Sequence, residues 1–425
     1  MVQKPGKRAA WILVGCILLL SACVRPDNSP SPFDALIGSE PQEQELPEGP
    51  VKGPDFRIIP DSELVFSSTT VGFSTSDAII SQGGYLADYE EMIDGERYSG
   101  AEIVERVSRE YSVHPRLLLV LLEVASGWVQ GSDGEPISDF PLYPTESIDA
   151  VLFVQLSWAA DTLNRGYYSR QVGGLPVMWT TDGVEITISQ SVNDATAAGQ
   201  YFLGKLMGYN DWQLAAGPLG VYAQYLELFG DPDGYAVKTL LPADLAQPEL
   251  SLPFKEGEGW FFTSGPHAAW GTGAAWGALD FAPDEEGHGC YESTSWVTAA
   301  ADGVVARVGD GIVVQDLDGD GEEGTGWTVL YMHIADEGKV EGGDYLKEGD
   351  PIGHPSCAGG PATGTHLHIA RRHNGEWIPA DQDIPFILSG WVSRGDGLEY
   401  DGKLIKEQTE IEASGYPIDE NKIYR

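Results

Sequence analysis

Apolar positions change their spacing once along this chain. Upstream of residue 247 they recur at helical intervals. Ser99 followed by Glu102 makes a capping box, and Ile103, Val104, Val107 and Tyr111 then share one helical face. Pro115 suits the first turn of a second helix, whose apolar run from Leu117 to Val124 predicts a buried core helix rather than a membrane span. Gly127 stands where a helix C-cap is expected. Further helical patterns lie in Ala150–Leu163, Val192–Met207 and Pro218–Phe229. From Phe254 glycine becomes frequent and the apolar runs become short and alternating: Trp296–Ala300, Gly303–Val308, Gly311–Val314 and Thr328–Ile334. Turn sequences such as Asp310-Gly311 and Asp318–Gly321 separate them, which is antiparallel β texture. The expected fold is multidomain α and β, with a mainly helical domain at 57–247 and a mainly antiparallel β domain at 254–390. Residues 391–425 read as a C-terminal extension.

The first 56 residues follow neither pattern. Lys4, Lys7 and Arg8 precede an apolar stretch from about Ala9 to Leu20, too short to span a bilayer, and Leu20-Ser21-Ala22-Cys23 follows. This is the layout of a bacterial lipoprotein signal (1–22). Cys23 would be the lipidated mature N-terminus, and the chain would be exported and anchored to a bacterial membrane. Val24 after it resembles an outer-membrane address where two membranes exist. Residues 23–56 repeat proline among Glu, Gln, Ser and Gly and read as a disordered tether.

Charge narrows the partners. With 25 basic and 65 acidic residues among 425, the net charge is −40. A phosphate backbone would be repelled, so nucleic acid is excluded as a partner. With Cys16 in the signal and Cys23 assigned to lipid, Cys290 and Cys357 remain; in an oxidising compartment a disulfide between them is the default.

Candidate chemistry concentrates in the β region. In Gly364-Thr365-His366-Leu367-His368-Ile369, strand alternation would point His366 and His368 the same way and leave Leu367 and Ile369 for the core. Leu330-Tyr331-Met332-His333-Ile334 reads as another strand, with His333 and Tyr331 on one face. Asp280 lies among apolar neighbours, a costly position unless it is paired or metal-bound. His267 enters a Gly-rich, Trp-containing loop upstream. His288, His354 and His373 read as surface or structural residues. Asp316–Gly321 hints at a calcium loop, but Trp327 stands where an EF-hand needs Glu, so an acidic hairpin turn is expected.

Together these residues, over about Trp260–Asp381, resemble the lysostaphin/LytM-type zinc endopeptidases of the cell wall, with their duplicated hybrid motif fold. The commonest form of that family spaces its upstream ligands H-x-x-x-D. Here Trp276 occupies that histidine position, so this form fails. His267 and Asp280, thirteen apart, resemble the staphylolysin and β-lytic branch instead. Ala301–Val305 and Glu348–Gly353 resemble the family's flanking turns and strands. The resemblance implies one zinc ion per chain held by His267, Asp280 and His368, with His366 and His333 assisting catalysis. It implies hydrolysis of peptidoglycan peptide bonds by a zinc-activated water. The alternative is an inactive wall-binding or hydrolase-activating lipoprotein. Upstream, Tyr111–Leu118 and Leu122–Trp128 resemble lytic transglycosylases, but Ala125 occupies the catalytic glutamate slot, so this region is expected to be non-catalytic.

Overall fold

The structure is a computed structural model that describes residues 46–130, 142 and 151–425. The signal segment, Cys23 and most of the tether lie outside the described residues. Among the described residues no helix is long and apolar enough to cross a membrane.

Among the described residues, seven α-helices form the N-terminal part: α1 (Thr75–Gln82), α2 (Gly100–Tyr111), α3 (Pro115–Ser126), α4 (Leu152–Gln171), α5 (Asp194–Leu206), α6 (Tyr209–Ala215) and α7 (Val221–Phe229). The capping box opens α2: the Ser99 hydroxyl accepts from the Glu102 amide, and the Glu102 carboxylate accepts from the Ser99 amide. Ile103, Val104 and Val107 are buried on its inner face. Pro115 starts α3, and Gly127 ends it at φ 65°. The long α4 lies tightly on α5, where a side chain at Gly166 would strike the Ala198 backbone. Val51 and Lys52, inside the stretch read as tether, pair in parallel with Ile186 and Thr187.

The C-terminal part is built on a nine-stranded antiparallel sheet: β1 (Gly259–His267), β2 (Ala278–Pro283), β3 (Gly303–Gly309), β4 (Ile312–Asp316), β5 (Trp327–Met332), β6 (Tyr345–Leu346), β7 (Leu367–His373), β8 (Glu376–Trp377) and β9 (Lys422–Tyr424). The order is β6-β3-β4-β5-β7-β2-β1-β9, with β8 paired to β7. Phe262, Leu279, Phe281, Tyr331, Leu367 and Ile369 fill one core on one face of its centre. Alternation sends Asp280 and His368 to the other face, where the register sets them side by side. Residues 391–425 are woven into this domain. Trp391–Gly395, Gly402–Lys406 and Thr409–Glu412 make a four-stranded sheet with Ile387–Leu388, and β9 closes the main sheet against β1. Leu404, Ile411 and Ile423 join the core, which explains why a segment that looked like an extension is structured.

The helical and β parts meet over polar contacts. The Ser112 hydroxyl donates to the Gly375 carbonyl, the Trp377 amide donates to Tyr168 Oη, and Gln171 Nε2 donates to Glu376. Glu323 is fully buried and pairs with Arg307 at 2.6 Å, Arg372 at 2.5 Å and, from α2, Arg109 at 3.4 Å. Burial alone would raise its carboxyl pKa, but these guanidinium groups hold it far below the ordinary glutamate range. Cys290 and Cys357 are bonded across a sequence separation of 67, with Cα atoms 5.6 Å apart.

Two stability outcomes follow. Glu323→Ala strands three buried or half-buried arginines and should cost about 3–5 kcal/mol, measured by denaturant unfolding at pH 7. Because the folded pKa is depressed, this stabilisation is present above the unfolded value of 4.5 and is lost as pH falls below it. The gap between wild type and variant should therefore narrow on acidification. Replacing both Cys290 and Cys357 with Ala should cost about 2–4 kcal/mol in the same assay.

Candidate metal centre

Asp280 leaves the middle of β2 toward the face opposite the core, and His368 lies beside it on β7. His267 ends β1, just past a register shift between Ser264 and His267. All three are buried. His267 Nε2 and His368 Nδ1 are 3.0 Å apart, and Asp280 Oδ1 lies 3.2 Å from the first and 3.3 Å from the second.

The protons of both rings are committed elsewhere. His267 Nδ1 donates to the Gly265 carbonyl at 2.8 Å, and His368 Nε2 donates to the Ala269 carbonyl at 3.1 Å. In the neutral rings, the two facing nitrogens therefore both carry lone pairs. Asp280 Oδ1 is buried and accepts no hydrogen bond, because its nearest neighbours are those unprotonated nitrogens. Three electron pairs thus converge with no donor between them, an arrangement that calls for a cation. Tetrahedral zinc bonds of about 2.0–2.2 Å put neighbouring donors about 3.3 Å apart, close to the spacing found. The donor set suits zinc: two imidazoles and one carboxylate, each ring oriented by a backbone carbonyl. Burial penalises the Asp280 charge; when His267 or His366 carries a proton, its positive charge more than offsets this and holds the carboxyl well below the ordinary range.

Two more histidines border the triangle. His366 Nε2 is 3.7 Å from Asp280 Oδ2, while its Nδ1 donates to the Gly364 carbonyl. His333 Nδ1 donates to the Ala358 carbonyl, and its ring centre is 4.4 Å from that of His366. Burial, and then the neighbouring His366, push the His333 pKa down to about 4. The expected shared face of His333 and Tyr331 does not form. β5 ends at Met332, and His333 takes φ 67°, so a turn aims its ring at His366. Tyr331 stays in the core, where its hydroxyl donates to Gln315 and accepts from the Ala300 amide.

His288 is exposed, His354 packs on Trp296, and His373 packs on Trp327. The carboxylates of Asp316, Asp318 and Asp320 gather at the β4–β5 turn, but Asp316 is already occupied by the amides of Asp318, Gly319 and Gly321. In α3, the Glu123 carboxylate accepts from the Val129 and Gln130 amides, so it braces a turn.

Residues 289–380 match the sequence profile of peptidase family M23. The β domain thus carries a peptidase family M23 domain over these residues. That match contains His333, His366 and His368, whereas His267 and Asp280 precede it and are brought in by the β1–β2 pairing. Residues 57–242 match the profile of the LasA N-terminal domain. The chain is 26% identical to Protease LasA of Pseudomonas aeruginosa over 303 residues, which is 65% of this chain and 67% of that one. Among solved structures, it is similar to the deep-sea M23 metalloprotease pseudoalterin (22% identity, TM-score 0.35, covering 42% of this chain and 100% of that one). It is also similar to a zinc-containing peptidase from Vibrio cholerae (22% identity, TM-score 0.24, covering 33% and 41%). The M23 match and the LasA homology make this chain a peptidase, a hydrolase of peptide bonds.

Sequence reasoning missed one wall of this cluster. Tyr400 stacks on His267 with ring centres 4.8 Å apart, and Glu399 accepts from the Ala268 amide at 3.3 Å. Both sit in the 396–401 turn of the supposed extension, held by the Gly265 amide donating to the Tyr400 carbonyl. The Gly-rich acidic turn between two alternating strands was the available signal.

Proposed function

We propose that the chain is a zinc endopeptidase that cleaves peptide bonds of bacterial peptidoglycan at the cell envelope. The observation that carries this reading is the buried triangle of two unprotonated imidazole nitrogens and one unpartnered carboxylate oxygen. His267, Asp280 and His368 are the ligands. Bound there, zinc would polarise the scissile carbonyl and acidify water.

The remaining chemistry belongs to His366 and His333. Each commits Nδ1–H to a carbonyl, so each presents Nε2 as a proton acceptor. His366 is the general base. It is less buried than His333, and Asp280 Oδ2 at 3.7 Å stabilises the imidazolium formed when Nε2 takes a proton from the attacking water. With ring centres 4.4 Å apart, the two rings hold one proton far more easily than two. His333 would take up and return a proton, and in its protonated form would stabilise the developing oxyanion. Around this centre we assign 1–22 as a lipoprotein signal, Cys23 as the lipid anchor and 23 to about 50 as the tether. The enzyme would then be exported, held at a membrane and presented to the wall.

The test uses residues 24–425, which lack the lipid cysteine. Elemental mass spectrometry should find about one zinc per chain, with purified sacculi hydrolysed; His368→Ala should lose both. Absence of zinc after reconstitution, together with intact sacculi, would refute the assignment. His366→Ala should keep its zinc and lose about 10²–10⁴-fold in kcat. Faster cleavage of a Gly-rich protein than of sacculi would redirect the substrate claim to proteins.

A further inference from the structure

The Gly-rich segment between His267 and Asp280 is shaped to receive a helix of the other domain. Asp161, on α4, has a side chain 20% exposed. Its Oδ1 accepts from the amides of Thr272 at 2.7 Å and Gly273 at 2.8 Å, and its Oδ2 accepts from the Thr272 hydroxyl at 2.7 Å. Arg165, one turn on, donates to the Thr272 carbonyl at 3.1 Å and hydroxyl at 2.6 Å. Trp270 rests edge-on against Tyr111 of α2. The glycines are what this docking requires. Gly271 has φ 58°, and a Cβ there would lie 2.4 Å from Asp161 Oδ1; one on Gly273 would lie 2.0 Å from the Asp161 carbonyl oxygen.

The same loop carries the group that orients a ligand. The Ala269 carbonyl accepts the Nε2–H of His368 and so leaves the unprotonated Nδ1, with its lone pair, facing Asp280. The Ala269 amide in turn donates to the Ala275 carbonyl at 2.9 Å, closing the neck of the loop. Resting on the peptidase reading above, we infer that Asp161 is a positioning residue of the active centre: the helical domain holds the loop tip, the closed neck fixes Ala269, and Ala269 fixes the His368 tautomer. The helical domain is then a working part of the peptidase.

The experiment compares full-chain wild type with Asp161→Ala, Asp161→Asn and, as a control, Gln171→Ala, which removes a hydrogen bond between the domains made to Glu376 instead of to the loop. Asp161→Ala should lower kcat on purified peptidoglycan about tenfold with little change in KM. It should also weaken zinc about tenfold against a chromophoric chelator, within the range for groups that orient ligands. In metal-free protein, imidazole ¹⁵N shifts should show a single His368 tautomer in wild type and a mixture in Asp161→Ala. Asp161→Asn keeps an acceptor for both amides and should recover most of the loss; Gln171→Ala should match wild type. Wild-type values in Asp161→Ala, an equal loss in Gln171→Ala, or a gain in activity would each overturn the proposal. A wild type that neither binds zinc nor cleaves would instead sink the peptidase reading, a result the ¹⁵N shifts of the metal-free protein register separately.

Discussion

Everything at the centre of this molecule depends on keeping three electron pairs pointed at one another. Left to itself, such a cluster would rotate a ring, bind a proton or admit water. The fold prevents the first by giving each imidazole a carbonyl partner on its far side. These carbonyls come from strand ends and loops, so the geometry of the ligands is set by backbone, and the backbone by sheet register. The cost of burying an unpartnered carboxylate oxygen is borne by a domain with an extensive aromatic and aliphatic core.

The same device is used four times. His267, His333, His366 and His368 each give one ring proton to a main-chain oxygen. In the proposed reading, two of them thereby become metal donors and two become proton acceptors. What separates the pairs is closeness to the Asp280 carboxylate, since the tethering is common to all.

How much of this the chain revealed depended on the range of the interactions. Alternation placed Leu367 and Ile369 in the core and His366 and His368 opposite them, because period two is a local property of strands. The capping box at Ser99 and the C-cap at Gly127 were legible for the same reason. His333 defeated the pattern, since its strand stops one residue earlier and a left-handed turn decides its direction. Tyr400 and Asp161 reach the site through pairings more than a hundred residues apart in sequence, and no local period records those. Residues 391–425 looked detached because their strands are short, yet β9 completes the sheet that carries His267.

The bond between Cys290 and Cys357 acquires a second meaning from its neighbours. Cys357 directly precedes Ala358, whose carbonyl orients His333. Cys290 directly follows Gly289, whose carbonyl holds the Thr365 amide beside His366. Oxidation thus makes one covalent unit of the two loops that aim the proton-handling rings. In a reducing compartment they would be separate loops, so the readiness of the site and the redox state of its surroundings are recorded in a single bond.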